Sequence, residues 1–372
     1  MAERPAPLVL VATPGDDDPP FGSYAAVSAA GQQLLAAELS QRLGGLGAAV
    51  APLRPQHEET FQWGGWFAAG ARASLGAVGT LDAIGYAGAG SLALLGDREL
   101  DDLLTPLAGE VVANNRFSTD AFVVAGDLEL ALSALQGCAS DNGAARCLEA
   151  AGFRVRDLSA APFSRFYVDS PLDLALLRIA TRIPAGRDLA PGVGRVLEMA
   201  LLPGARRLDV PKLAEIGAVM RDRSAELVVS GRVPADAWQY LERETACRVR
   251  CFIEERGMRS ARAGHPRSVL AALMARSSPA ELVAELSGLG DAVVLDSRVL
   301  MAAHAGSAEA SAWPPEEERF AADFGDPTPI ETEWLRELVD AAAAAPVPWL
   351  MGGHALVSDG LRLLVDAAWQ GH

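Results

Sequence analysis

The sequence predicts an α/β protein with two domains, each a mostly parallel sheet with helices on both faces. The chain has 372 residues, which is more than one ordinary hydrophobic core accommodates. Half of the residues are hydrophobic, so cores of substantial size are expected. Short apolar runs of β type alternate with helical segments along most of the chain, and this alternation is typical of parallel sheets with covering helices.

The first 180 residues follow that alternation closely. Strands are predicted at residues 8–12, 48–53, from 84 onward, at both ends of 111–124, at 153–158 and at 166–169. Helices are predicted at residues 24–43, within 57–76, at 97–107, 128–135 and 141–151, and from 171 onward. The aromatic residues of the segment 57–76 are expected to pack in the core, although they could also shelter a base or a sugar ring.

The second half of the chain repeats the pattern after a connection. Residues 181–205 are rich in glycine and proline and are predicted to join a first domain, 1–180, to a second domain, 206–372. Strands of the second domain are predicted at residues 226–229, 248–253, 292–295 and 347–351, with helical stretches between them. We therefore expect a second parallel sheet.

The charge and hydropathy of the sequence limit the classes of molecule that the protein is expected to bind. The formal net charge is -16, which argues against a nucleic-acid surface because binding to that backbone needs clustered cations. No run of about 18 apolar residues occurs, so no membrane partner is expected and a cytoplasmic location is predicted. The four cysteines form no CxxC pair and are expected to be reduced structural thiols. Whether the chain forms a homo-oligomer is left open.

The stretch Val111–Val124, VVANNRFSTDAFVV, contains the densest group of polar residues in the first half. Two apolar runs enclose these residues, and polar side chains at such a place need a ligand, a metal or other partners. A second stretch, Phe166–Leu177, is an apolar run that ends in Asp169 and has Pro171 placed to open a helix. The polar residues of the first stretch are Asn114, Asn115, Arg116, Ser118, Thr119 and Asp120.

The order of these motifs resembles the nucleotide-diphospho-sugar transferase (glycosyltransferase-A type) fold. Within it, the sequence looks most like the small nucleotidyltransferases that guanylylate molybdenum cofactor or 2-phospho-L-lactate. Their late aspartate-x-proline-x-aspartate-leucine segment is matched here by Asp169, Pro171, Asp173 and Leu174. The resemblance implies nucleotidyl transfer to a small anionic metabolite or sugar nucleotide. It also implies Asp120 and Asp169 as catalytic and Mg²⁺-binding residues, and a ligand held by Asn114, Asn115, Arg116, Ser118 and Asp173.

Two departures from that family support an alternative function. The loop after the first strand, TPGDDDPPFGS, has no basic residue, whereas the family grips the triphosphate there with arginine and lysine. The position of the family's central metal-binding aspartate falls at Ala87, Gly88 and Ala89. These departures favour a non-catalytic binding or assembly protein that has kept the fold. The acidic run Asp16–Asp18 could hold magnesium or could simply be solvated.

Polar residues also follow each predicted strand of the second half. Because carboxyl ends of parallel strands share one edge of a sheet, these residues are expected to line one crevice for an anion. Asp296 and His354 could form a general acid–base pair there, so a hydrolase or isomerase is a third reading. The alternative is a network in which the charges pair with one another. The proposed crevice residues are Arg232, Glu254, Arg256, Asp296, Arg298, Gly352, Gly353 and His354.

Overall fold

The structure is a computed structural model, and it divides into two compact units. It describes residues 6–14, 19–20, 22–54, 62–78, 81–183, 194, 197–255, 257 and 266–370. The described residues of Met1–Asp18, Ala29–Asp169 and Arg187–Arg195 form the first unit. Those of Pro19–Ser28, Ser170–Gly186 and Val196–His372 form the second unit. The domain limits expected from the sequence stay a prediction.

The first unit contains a six-stranded sheet in which the strand order is β2-β1-β3-β5-β4-β6. Strand β1 pairs in parallel with both β2 and β3, and β4 pairs in parallel with β6. Strand β5 is antiparallel to both of its neighbours. The strands are β1 (Leu8–Ala12), β2 (Ala49–Leu53), β3 (Ala83–Ala87), β4 (Glu110–Ala113), β5 (Ala121–Ala125) and β6 (Arg154–Asp157).

Helices cover both faces of this sheet, as the sequence predicts. Alternate residues of each strand point to opposite faces, so neighbours such as Leu8 and Val9 belong to different cores. One core includes side chains of α2, α4 and α5, and the other includes side chains of α1 and α3. The helices are α1 (Tyr24–Gly45), α2 (Trp63–Val78), α3 (Asp97–Leu104), α4 (Leu128–Gln136) and α5 (Ala144–Ala150).

The second unit contains a four-stranded sheet that is parallel throughout, with strand order β10-β9-β11-β12. Strands β11 and β12 are buried along their whole length, as expected where helices cover both faces. A short antiparallel pair, β7 (Leu201–Leu202) and β8 (Arg206–Arg207), precedes it. The sheet strands are β9 (Glu226–Gly231), β10 (Arg248–Ile253), β11 (Ala292–Asp296) and β12 (Trp349–Gly352).

Nine helices with bounds in the described part of the chain accompany the second sheet. Among them, α6 begins at Pro171 with a capping box formed by Ser170 and Asp173, which confirms the helix start read from the sequence. Helix α14 directly follows a π-helical turn, Leu356–Gly360. The helices are α6 (Pro171–Ala180), α7 (Leu213–Arg221), α8 (Ala235–Glu244), α9 (Val269–Met274), α10 (Pro279–Ser287), α11 (Arg298–Ala305), α12 (Glu316–Asp323), α13 (Glu333–Ala344) and α14 (Leu361–Gln370).

Two expectations from the sequence are wrong. The run at 166–169 is not a strand: it contributes a single bridge, from Tyr167 to Ser91, because the glycine turn opposite it is too short for a ladder. Cys138 and Cys147 are joined by a disulfide, with their Cα atoms 6.7 Å apart, whereas reduced thiols were expected. Both cysteines belong to the core that joins α4 and α5, and this tertiary packing brings them together.

Within the described residues, no helix is both long and apolar enough to span a membrane.

The bridge between Ser91 and Tyr167 yields a test of the fold. A Cβ atom on Gly90 would lie 2.3 Å from the carbonyl oxygen of Val168, so Gly90→Ala must push two backbones apart. We expect a loss of stability of about 1–3 kcal/mol, measured by urea denaturation. Gly76→Ala is the control, because its Cβ meets no atom within 4 Å and the helix gains about 0.5–1 kcal/mol. Equal effects of the two substitutions would contradict the bridge.

Candidate functional site

The first candidate site lies where β3 ends, at the carboxyl edge of the first sheet. Strand β5 is antiparallel to β3, so the residue before its amino end, Asp120, reaches the same edge. The backbone N–H of Gly88 donates to the carbonyl of Asp120 at 2.9 Å, which extends the pairing by one residue. Asp120 therefore lies at the carboxyl edge because β5 runs antiparallel to β3, which the order of the residues in the sequence does not explain.

Three aspartates surround two tyrosines at this edge. The Tyr86 hydroxyl lies 3.4 Å from Oδ2 of Asp141. Burial raises the pKa of Tyr167 well above its ordinary value, and the charges of Asp169, Asp120 and Asp141 raise it further. Burial also raises the pKa of Tyr86, with a further contribution from Asp141. Asp120 and Asp169 thus both act on Tyr167, and the shared site that the resemblance implies for them stays a prediction. Asp141, whose own pKa is raised by burial, acts on Tyr167 as well.

A glycine turn after β3 holds Tyr167 against the sheet. A Cβ on Gly88 would lie 2.9 Å from the Tyr167 ring, so only glycine leaves room for it. The Ser91 hydroxyl donates to the carbonyl of Gly88 at 2.8 Å, and the backbone N–H of Val168 donates to the carbonyl of Gly90 at 3.0 Å. The small residues of this turn therefore permit a close approach to its backbone, and the approaching group is part of the chain.

The polar residues between β4 and β5 make their hydrogen bonds mostly within the protein. Asn114 accepts from the backbone N–H groups of Asp120 and Ala121 and donates to Oδ2 of Asp120 at 3.1 Å. Arg116 pairs with Glu149. Hydrogen bonds within the protein therefore account for this concentration of polar residues, and no ligand is needed to explain it. Asn115 and Thr119 form turn contacts, and Ser118 donates to Asn142.

The two aspartates of the late motif have different surroundings. Asp169 is exposed at the end of the first unit. Asp173 is buried in the second unit, where its Oδ2 accepts from the backbone N–H of Ser170 at 2.9 Å and from the Ser170 hydroxyl at 2.9 Å. Asp173 therefore caps α6, and its predicted contact with a ligand stays a prediction.

No group of three or more His, Cys, Asp or Glu side chains positioned for a metal ion occurs among the described residues. Asp16–Asp18, for which a magnesium site was considered, and the predicted crevice residue Arg256 lie outside them. The metal-binding role of Asp120 and Asp169 stays a prediction, and it requires other ligands besides these two carboxylates.

The carboxyl edge of the second sheet brings Arg232 and Asp296 together. The guanidinium of Arg232 donates to both carboxylate oxygens, with Nε–Oδ2 2.6 Å and Nη2–Oδ1 3.0 Å. Asp296 is fully buried, which opposes its ionisation, but the Arg232 guanidinium and, to a smaller degree, His354 hold its pKa below the ordinary value. A Cβ on Gly231 would lie 2.2 Å from the Cβ of Asp296, so this pair requires glycine there, with φ at +134°.

Arg298 is committed to a second buried ion pair. Its Nη1 and Nη2 atoms donate to the two carboxylate oxygens of Asp323 at 2.7 and 2.6 Å. Nη1 also donates to the Ser297 hydroxyl at 3.0 Å. Burial works against the charge on Arg298, but Asp323, with Asp296 and Asp173, raises its pKa. Both arginines of this edge are thus paired by carboxylates, which is the charge network considered from the sequence.

The remaining crevice residues divide into two groups. Glu254 faces the start of α9, where its Oε1 accepts from the Ser268 hydroxyl at 2.7 Å and the backbone N–H of Val269 at 2.9 Å. This carboxylate is used as a helix cap because Ser268 is the N-cap of α9. Gly352 is the last residue of β12, and Gly353 and His354 follow it. His354 is half-buried and near enough to Asp296 to lower its pKa.

Four important residues were missed from the sequence or given another role. Tyr86 and Asp323 sit in ordinary apolar or helical contexts that carry no signal. The sequence did offer a signal for Tyr167. It is an aromatic residue two positions before Asp169, and residues two apart in an extended segment point to the same side. Asp141 was read only as a helix cap, and its approach to Tyr86 depends on the tertiary fold.

The Arg298–Asp323 pair predicts a large stability effect. Arg298→Met leaves the Asp323 carboxylate buried without its partner, so we expect a loss of about 3–5 kcal/mol in urea denaturation. The double variant Arg298→Met/Asp323→Leu should recover most of that loss, because no unpaired buried charge remains.

Isothermal calorimetry with inorganic phosphate completes that test. Arg243→Met is the matched control, because its pair with Glu244 is at the surface and its removal should change stability little. If Arg298 only pairs with Asp323, Arg298→Met lowers the free energy of unfolding and leaves phosphate binding unchanged. Phosphate binding by the wild type that Arg298→Met abolishes, with stability unchanged, would contradict the network.

Comparison with known proteins gives no match for this chain. No protein-family model, no curated protein and no solved structure is similar to it at a significant level. The resemblance to nucleotide-diphospho-sugar transferases therefore stays a prediction from the motifs quoted above.

Proposed function

We propose that the chain is a nucleotidyltransferase-like protein whose first unit takes a nucleoside triphosphate and acts on a small anionic metabolite or sugar nucleotide. The observation that carries this proposal is the position of three aspartates at the end of β3. The backbone of Asp120 and the ring of Tyr167 both lie against Gly88, Asp169 is two residues after Tyr167, and Asp141 is beside the hydroxyl of Tyr86. Two of these aspartates are the ones that the motif resemblance selects.

The topology of the first sheet supports a ligand at this edge. Strand β1 has β2 on one side and β3 on the other, so the connections that leave β1 and β3 diverge. In open α/β sheets such a switch point forms a crevice at the carboxyl ends of the strands, and ligands bind there. The aspartates lie at the end of β3, next to this point.

The donor set at the site is compatible with Mg²⁺. Magnesium usually keeps several waters and is held by one or two carboxylates together with substrate phosphates, so a full protein cage is not required. Asp120 and Asp169 would provide the two carboxylates. When bound, the ion would offset the negative charge of the phosphates, which the three aspartates alone would repel.

The transfer itself requires little covalent chemistry from the protein. An oxygen of the anionic acceptor forms a bond to the α-phosphorus, the bond from that phosphorus to the bridging oxygen breaks, and pyrophosphate leaves. The side chains of the site contribute by positioning and by electrostatics. The rigid bridge between Ser91 and Tyr167 would keep Asp169 in place relative to Asp120.

A non-catalytic binding or assembly protein is the second candidate, and one observation favours it. The polar side chains between β4 and β5 find hydrogen-bond partners within the protein, so they have no evident need of phosphate oxygens. In that case the fold is retained without the reaction.

Thermal denaturation with nucleotides tests the proposal. At ten times its Kd a ligand specific for the folded state contributes about 1.4 kcal/mol, which corresponds to a rise in Tm of about 3–6 °C. We expect this rise with at least one nucleoside triphosphate at millimolar concentration in the presence of MgCl₂, and a smaller one with EDTA. Asp120→Asn and Asp169→Asn should each remove it.

Asp101→Asn is the control for a lost carboxylate, because Asp101 is exposed on α3 of the same unit. It should leave the nucleotide-dependent rise unchanged. The absence of a shift with every common triphosphate would support the non-catalytic candidate. A shift that survives in both aspartate variants would place nucleotide binding elsewhere.

A further inference from the structure

A cavity of about 340 Å³ lies within the second unit, and Asp323, the partner of Arg298, is among the residues that line it. The start of α7, the end of α12, the end of α13 and strand β12 contribute to its wall. Its volume is at the lower end of the range for small-molecule sites. Nothing in the proposed nucleotidyl transfer uses it.

Most of the residues that line the cavity have apolar side chains, although polar atoms, including those of the backbone, are also exposed there. Phe324, Val339, Trp349 and Met351 provide the large side chains, and alanines and prolines around them leave the space open. The indole N–H of Trp349 donates to the Ser287 hydroxyl at 2.9 Å, so this ring needs no hydrogen bond from a ligand. An apolar group of a few carbon atoms would fit against these side chains, because its burial removes apolar surface from water.

Three ionisable side chains line the cavity: Asp323, which is already paired with Arg298, and the oppositely charged Lys212 and Glu215. The Nζ atom of Lys212 is 3.2 Å from Oε1 of Glu215, and the side chains are 53% and 55% exposed. Lys212 is the only lysine in the sequence. Its φ of +55° is in the left-handed region, which is rare for a residue other than glycine and is often associated with functional sites.

We propose that this cavity binds an apolar α-amino acid. The ligand carboxylate would pair with the Lys212 ammonium, its ammonium would pair with the Glu215 carboxylate, and its side chain would enter the apolar part. The two charges of an α-amino acid are close together, as are those of Lys212 and Glu215.

The paired charges select against simpler ligands. An apolar acid that lacks an ammonium group would meet the Glu215 carboxylate, and an apolar amine would meet the Lys212 ammonium. Each would gain one attraction and suffer one repulsion at nearly equal distance. Only a ligand with both signs satisfies both side chains.

Calorimetric titration of the full-length protein with L-leucine tests this assignment. We expect saturable binding, with isocaproate and isoamylamine at least about tenfold weaker because each lacks one of the two charges. Lys212→Met and Glu215→Gln should each weaken leucine binding by about tenfold or more. Both residues are half-exposed, so both variants should fold, which circular dichroism will check.

Two further variants make the outcome unambiguous. Ala343→Leu adds bulk to the cavity wall at an exposed position without changing charge, and it should reduce leucine binding at least as strongly as the charge variants. Arg243→Met removes a surface charge elsewhere in the same unit and should leave leucine binding unchanged. The proposal is overturned if no leucine binding is seen up to its solubility limit, or if Lys212→Met, Glu215→Gln and Ala343→Leu all bind it as the wild type does.

Discussion

Because parallel strands must end at the same edge of a sheet, the topology of this chain decides where its polar residues gather. In the second sheet all four strands run the same way, so Arg232, Asp296 and His354 follow strand ends and share one edge. In the first sheet the single antiparallel strand, β5, brings Asp120 to the end of β3. Both candidate sites therefore result from strand direction, and neither depends on residues that are close in sequence.

Desolvation decides what these gathered charges do. Asp296 is fully buried, and Arg298 is nearly so, and a buried charge is tolerated only when it is paired and hydrogen-bonded. Each therefore has a partner of opposite charge in two-point contact. The first sheet is different, since Asp169 is exposed and remains in contact with water. An exposed acidic edge can bind a cation from solution. A buried edge whose arginines are already paired with carboxylates attracts an anion less strongly.

The three regions of interest consequently differ in chemistry. The edge near Tyr167 is acidic and suits a cation with its anionic substrate. The edge near Asp296 is a neutral network with half-buried His354 at its surface, and acid–base catalysis by that pair stays a hypothesis. The cavity near Lys212 combines mostly apolar side chains with the Lys212–Glu215 ion pair, and Asp323, which also lines it, is paired with Arg298. Separate sites of this kind are compatible with a protein that transfers a group in one unit and senses a small molecule in the other.

Local pattern in the sequence determined most of the elements. Strand-like runs of four to six residues marked β1, β9, β10 and β11, and Pro171 after Ser170 marked the start of α6, because these signals come from neighbouring residues. The α/β class and the coverage of both faces followed from their alternation. Only the tertiary structure decided the antiparallel direction of β5, the disulfide between Cys138 and Cys147, and the pairing of Arg298 with Asp323. Each of these contacts joins two segments, and neither segment's sequence indicates the other. The contacts depend on tertiary packing and on the cost of burying an unpaired charge, which a local sequence pattern does not show.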